Sequence, residues 1–127
     1  MNLLLDTHAL MWWLWSDERL SREAQQAIRQ ADNVHVSSVS AIEITIKYRI
    51  GKLPRAADLV REFTSLMEAE NFIERPVTWR EAQLAGRIEH PHRDPFDRML
   101  IAQALLNDMT LVSNEKLFDS FGVARLW

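Results

Sequence analysis

Five acidic residues stand at places in the chain where a metal-dependent phosphodiester chemistry would need them: Asp6, Glu43, Asp94, Asp97 and Glu115. Asp6 ends the apolar run Leu3-Leu4-Leu5, and Glu43 interrupts the apolar stretch Ala41-Ile42-Glu43-Ile44. Asp94-Pro95-Phe96-Asp97 opens an amphipathic segment, and Glu115 follows Thr110-Leu111-Val112-Ser113. Carboxylates gathered in one pocket repel, and protons or cations must relieve the cost. Hard divalent cations with oxygen ligands are the natural solution. Magnesium is held by a few carboxylates and keeps waters for phosphate oxygens. One or two such ions can activate water and stabilise the leaving oxygen of a phosphodiester. Each acid also has a plainer reading. Asp6 and Asp94 could cap helices, Glu43 and Asp97 could be first-turn acids favoured by the helix dipole, and Glu115 could be a surface acid.

Convergence depends on the elements that carry these residues. Leu3-Leu4-Leu5 reads as a buried strand, followed by the apolar segment Thr7 to Trp15. Ser21 opens a helix on which Ala24, Ala27, Ile28 and Ala31 recur at helical spacing. Val34 to Ser38 alternates like a strand, and Ile42, Ile46 and Ile50 set a helix from Val39 closed by Gly51. After Pro54, Ala56 to Glu70 reads as one amphipathic helix, and Phe72 to Val77 as a strand. Thr78 to Glu89 is a helix with Thr78 and Glu81 in a capping-box pattern. Asp94-Pro95 starts a helix through Leu106, since Pro suits the first helical position. Thr110 to Ser113 is a strand, Glu115 to Phe121 a short helix, and Gly122 to Trp127 a last strand. The order β-α-α-β-α-α-β-α-α-β-α-β implies an α/β domain whose mostly parallel sheet is covered by helices on both faces. Ligands of such sheets bind beyond the C-terminal strand ends, the edge to which all five acids map.

Composition narrows the function classes. The 127 residues make one domain, 1–127, with 47% hydrophobic and 26% charged residues and no linker or repeat. There is no cysteine, which excludes disulfides, thiolate zinc sites and a Cys nucleophile, and a reducing, cytoplasmic setting fits. Met1 to Asp6 lacks the basic and apolar regions of a signal peptide, and no segment is long enough to span a bilayer. The net charge of −3 argues against coating nucleic acid by charge alone, although cations bound to the acids would reverse the local sign. Phosphatase-like folds with an Asp nucleophile need a second acid two residues on, where this chain has His8. Receiver domains need paired acids after the first strand, and that pattern is absent too.

The ordered set of segments resembles the PIN-domain ribonucleases, specifically the VapC-type toxins of bacterial toxin–antitoxin pairs. The matching stretches are Leu3 to His8, Val36 to Ile44, His92 to Ala104, and Leu111 to Glu115 continuing through Phe121-Gly122-Val123, across essentially the whole chain. The resemblance implies a PIN-like three-layer fold with four to five strands. It implies a Mg²⁺- or Mn²⁺-dependent endoribonuclease that hydrolyses RNA with a metal-activated water, forms a homodimer and is restrained by a cognate antitoxin. It places Asp6, Glu43, Asp97 and Glu115 as metal ligands, with Asp94 as cap or outer partner, though the helical offset leaves Asp94 and Asp97 interchangeable. The family's last acid is usually Asp; here Ser113-Asn114-Glu115 fills that place with a longer side chain, and Asn114 could offer a neutral oxygen instead.

Among neighbouring residues, Thr7 would orient the site or cap a helix, and Ser113 and Asn114 would assist at its far side. Lys47, Arg49, Lys52 and Arg55 form a basic run, and Arg98 beside the third acid is the first choice to hold a phosphate. Trp12, Trp13 and Trp15 cannot all enter one core, so some face solvent or a partner, while Trp79 is expected to pack beside its helix start. The rival to an active nuclease is a degenerate PIN-like domain kept for RNA or protein binding.

Overall fold

The computed structural model describes residues 1–127. Its sheet has five strands: β1 (Asn2–Leu5), β2 (Asn33–Ser37), β3 (Ile73–Arg75), β4 (Thr110–Val112) and β5 (Arg125–Leu126). All pairings are parallel, in the spatial order β3-β2-β1-β4-β5. The helices are α1 (Thr7–Leu14), α2 (Arg22–Gln30), α3 (Ser38–Arg49), α4 (Ala57–Arg61), α5 (Phe63–Ala69), α6 (Trp79–Arg87) and α7 (Pro95–Leu106), with 3₁₀ turns at Pro54–Ala56 and Lys116–Phe121.

Leu3, Leu4 and Leu5 are wholly buried because β1 is central and covered on both faces. Strand alternation sends Leu3 and Leu5 to one layer, with Leu10, Trp12, Ile28 and Met67. Leu4 goes to the other, with Val39, Leu100, Ile101 and Phe118. Burial of each leucine is worth about 2 kcal/mol. The chain builds outward from β1 to β2 and β3, then returns to place β4 and β5 on the far side of β1. That reversal opens a crevice between the C-terminal ends of β1 and β4, where α/β sheets bind ligands.

The structure departs from the sequence reading in three places. Ala56 to Glu70 is not one helix: Glu62, at φ −122° and ψ 29°, breaks it into α4 and α5. The last strand is confined to Arg125–Leu126, because Gly122 in the left-handed region at φ 78° closes the preceding 3₁₀ turn first. Trp79 does not pack beside its helix; at 91% it is the most exposed of the large apolar side chains. The capping box of α6 is formed as expected, and Glu81 is buried where Gln103 and Asn107 also donate to it.

The tryptophans of α1 are sorted by cations. Trp12 is buried, with Arg19 5.0 Å from its ring centre; Trp13 and Trp15 are half-buried, with Arg29 at 5.8 Å and Arg55 at 4.4 Å. Asp17 organises this corner by accepting from the Arg19 backbone N–H, Nε and Nη2. Those donors hold its pKa down at about 2, against an ordinary 3.8. A lowered carboxylate stabilises the fold fully above its unfolded value and loses that contribution as pH falls through the folded one. Asp17→Asn should therefore melt below wild type at neutral pH, the gap closing between about pH 5 and about pH 2. A gap in melting temperature that stays constant on acidification would contradict this.

Candidate active site

Asp6 follows the last residue of β1, and its backbone N–H bonds to Val112 O of β4 at 3.1 Å, which fixes it at the crevice. It is also the N-cap of α1, accepting from Ala9 N at 2.8 Å. The cap and site readings are therefore compatible, since only one carboxylate oxygen takes the Ala9 bond. Asp6 is buried, and burial pushes its pKa above the ordinary carboxylate range. The Asp97 charge adds to that rise, while the Ser113 hydroxyl and Ala9 N–H oppose it. Ser113, wholly buried just beyond β4, accepts from Glu115 N at 3.0 Å.

Glu43 lies on the second turn of α3, also buried. Its Oε1 accepts from Thr7 Oγ1 at 2.7 Å, and its Oε2 from Lys47 Nζ at 2.7 Å. Thr7 meets Ser40 Oγ at 3.0 Å, so α1 and α3 are tied together at the acid. Thr7 thus orients Glu43 and does not cap the helix. Asp94 is the N-cap of α7, accepting from Phe96 N and Asp97 N at 2.9 and 3.3 Å. Asp97, one turn in, is half-buried. Burial raises its pKa, and the charges of Asp94 and Glu43 raise it further, while a hydrogen bond from His92 opposes them.

The charge of Asp97 bears on Asp6, and those of Asp94 and Glu43 bear on Asp97, so the four acids share one acidic neighbourhood. Glu115 stands apart: its side chain is exposed, and its charge bears on Arg125. Asn114 is exposed beside it. No three Asp, Glu or His side chains come close enough to encage one ion. A groove of about 340 Å³ between α3 and α5, lined by Ala41, Phe63, Met67 and Phe72, holds none of these acids.

Arg98 is the clear correction. Its guanidinium donates to Ala85 O at 2.7 Å, to His90 O and His92 O at 3.1 and 2.8 Å, and to Ile88 O. A group spent on four carbonyls has no fork left for a phosphate. The sequence reading passed over Ser40, and took Lys47 only as part of a basic run. Both signals were present, since positions three before and four after Glu43 share its face of the helix.

Comparison with known proteins agrees with this fold. A model of the PIN domain matches residues 3–123. Ribonuclease VapC22 of Mycobacterium tuberculosis is 27% identical over 119 residues, covering 94% of this chain and 91% of that protein. Among solved structures, DNA-bound VapBC from Salmonella typhimurium superposes with a TM-score of 0.72 at 16% identity, over 99% of this chain and 97% of that one. VapC20 of M. tuberculosis, a toxin that cleaves the sarcin-ricin loop, gives 0.70 at 12% identity over 96% of both chains. With the acids at the β1–β4 crevice and the match running from the first strand almost to the last, the chain belongs to the PIN-domain family.

Proposed function

We propose that this protein is a Mg²⁺-dependent endoribonuclease, served also by Mn²⁺, and the toxin of a toxin–antitoxin pair acting in the cytoplasm as a homodimer. The observation that carries the reading is the convergence of Asp6, Glu43 and Asp97, from three separate elements, on one crevice. The ribonuclease name of the relative and the toxin–antitoxin complexes among the structural neighbours support it.

The residues fit a hard cation. Burial holds Asp6 and Asp97 above their ordinary pKa with too few donors to compensate, so positive charge there is favoured. No three acids stand close enough to encage one ion, so a cation here would be held by one or two carboxylates and keep its waters, as Mg²⁺ does. When bound, such an ion supplies positive charge to the scissile phosphate, the attacking water and the leaving oxygen. Asp6 and Asp97, whose charges bear on each other, would hold it directly, and Glu43 would reach it through one of its waters. Thr7 and Lys47 fix the rotamer of Glu43, and Ala9 N that of Asp6, so their oxygens are in place before substrate arrives. Asp94 sets the start of α7 and adds negative charge without a free inward oxygen required of it. Glu115 and Asn114 are exposed and would act on RNA or through water, not as direct ligands of the ion.

Metal removal tests this. Purified protein free of any partner should cleave RNA in Mg²⁺, lose the activity in EDTA, and regain it with Mg²⁺ or Mn²⁺. Cleavage indifferent to EDTA would sink the metal mechanism. No cleavage of ribosomal, transfer or messenger RNA under any metal would favour a domain kept for binding.

A further inference from the structure

Outside the acids, the structure holds a second polar construction, in the segment between α6 and α7. Its centre is His90. The ring is stacked on Phe121, with centroids 3.8 Å apart and planes at 16°. His90 Nδ1 accepts from His92 N at 3.1 Å. Its Nε2 therefore carries the hydrogen and donates to Ser120 Oγ at 2.7 Å, whose hydroxyl donates in turn to Leu117 O at 2.6 Å. Arg98 binds the carbonyls of Ile88, His90 and His92 from the other side. An irregular segment is thus fixed by a ring stack, a directed hydrogen-bond chain and a guanidinium. Besides Asp94, the cap of α7, it delivers to the site His92, whose Nε2 lies 2.8 Å from Asp97 Oδ2.

We propose that His92 is a positioning residue of the acidic site: its Nε2–H holds Asp97 Oδ2 and thereby presents Oδ1 to a divalent cation. The proposal rests on the metal-site reading given above. Asp97 needs such a partner more than its neighbours do. Asp6 is oriented by Ala9 N, and Glu43 by Thr7 and Lys47. Asp97 has no side-chain donor other than His92, and it is about a quarter exposed, so its rotamer would otherwise be free. Hydrogen bonds to a ligating carboxylate fix its orientation, and their loss typically weakens metal affinity about 10–100-fold. The same observation gives Arg98 its place: it acts on the site through the His92 carbonyl and not on substrate.

Direct Mn²⁺ titration of the partner-free protein, by calorimetry or by the paramagnetic signal of free ion, tests this without RNA. His92→Ala should weaken Mn²⁺ binding about 10–100-fold. His92→Gln should recover most of the loss, because its amide N–H can stand where Nε2–H stood; the shorter His92→Asn should not. In RNA cleavage, the Mn²⁺ concentration for half-maximal rate should rise in His92→Ala while the rate at saturating Mn²⁺ returns toward wild type, a pattern that a merely loosened fold would not give. Equal Mn²⁺ affinity in wild type and His92→Ala would overturn the proposal. Should the Ala variant fail to fold, the Gln and Asn pair carries the test, and equal affinities in that pair would overturn it. A wild-type protein that binds no Mn²⁺ overturns the metal-site reading itself, and this role with it.

Discussion

Asp6→Asn should abolish RNA cleavage and leave the metal-free protein more stable than wild type at neutral pH. The two effects have one origin. Losing several kcal/mol of charge stabilisation in the transition state corresponds to a drop of about a thousandfold in rate. The folded protein, however, gains from the change. Asn is as good an N-cap as Asp, so the bond from Ala9 N survives. What disappears is a buried carboxylate whose pKa burial has raised. A carboxyl raised above its unfolded value of 3.8 penalises the fold at every pH above its folded pKa, and the penalty fades as pH falls toward the unfolded value. In EDTA the variant should therefore melt above wild type at neutral pH, and the difference should shrink on acidification. Added Mg²⁺ should raise wild type alone, by linkage to binding. A variant that still cleaves RNA, or that melts below wild type in EDTA, would contradict the assignment of Asp6 as a ligand held at a cost in stability.

Arg98→Met should cost about 3 kcal/mol of stability and lower the melting temperature by roughly 10 °C. Four carbonyls lose a charged donor at once, and hydrogen bonds to charged groups are worth more than neutral ones. Arg98→Lys should rescue little, because one ammonium cannot span the carbonyls of Ala85, Ile88, His90 and His92 as a planar fork does. A phosphate-binding arginine would behave oppositely: melting nearly unchanged, RNA affinity lower, and partial rescue by Lys. Thermal unfolding of the three proteins in EDTA separates the cases.

These outcomes follow from contacts that sequence spacing discloses unevenly. Periodicity located every strand and the start of α7, because β1 and β4 are apolar runs ending in polar residues and Asp94-Pro95 is a strong helix start. The position of Asp6, Glu43 and Asp97 at one end of the sheet was legible because a parallel sheet gathers strand ends on one edge. Arg98 was misread because adjacency in sequence to an acid says nothing about direction. On α7 its side chain turns back toward α6, where free carbonyls at a helix end and loop attract it. The break at Glu62 left no Pro or Gly to mark it. Trp79 was assigned to packing on its hydrophobicity alone, yet the first residue of a capped helix has no neighbour there.

The β1–β4 pairing has a consequence for how the protein comes into being. Leu3, at the centre of the sheet, pairs with Thr110, so the earliest strand to be synthesised waits for nearly the whole chain before its second neighbour exists. Contacts so distant in sequence close late and slowly. The Asp6 N–H bonds to Val112 O across that same seam. A ribosome-bound chain that has exposed only α1 to α6 thus carries Asp6 and Glu43 but neither Asp97 nor the strand that seats Asp6. The acids of α1, α3 and α7 therefore come together only when synthesis of the chain is nearly complete.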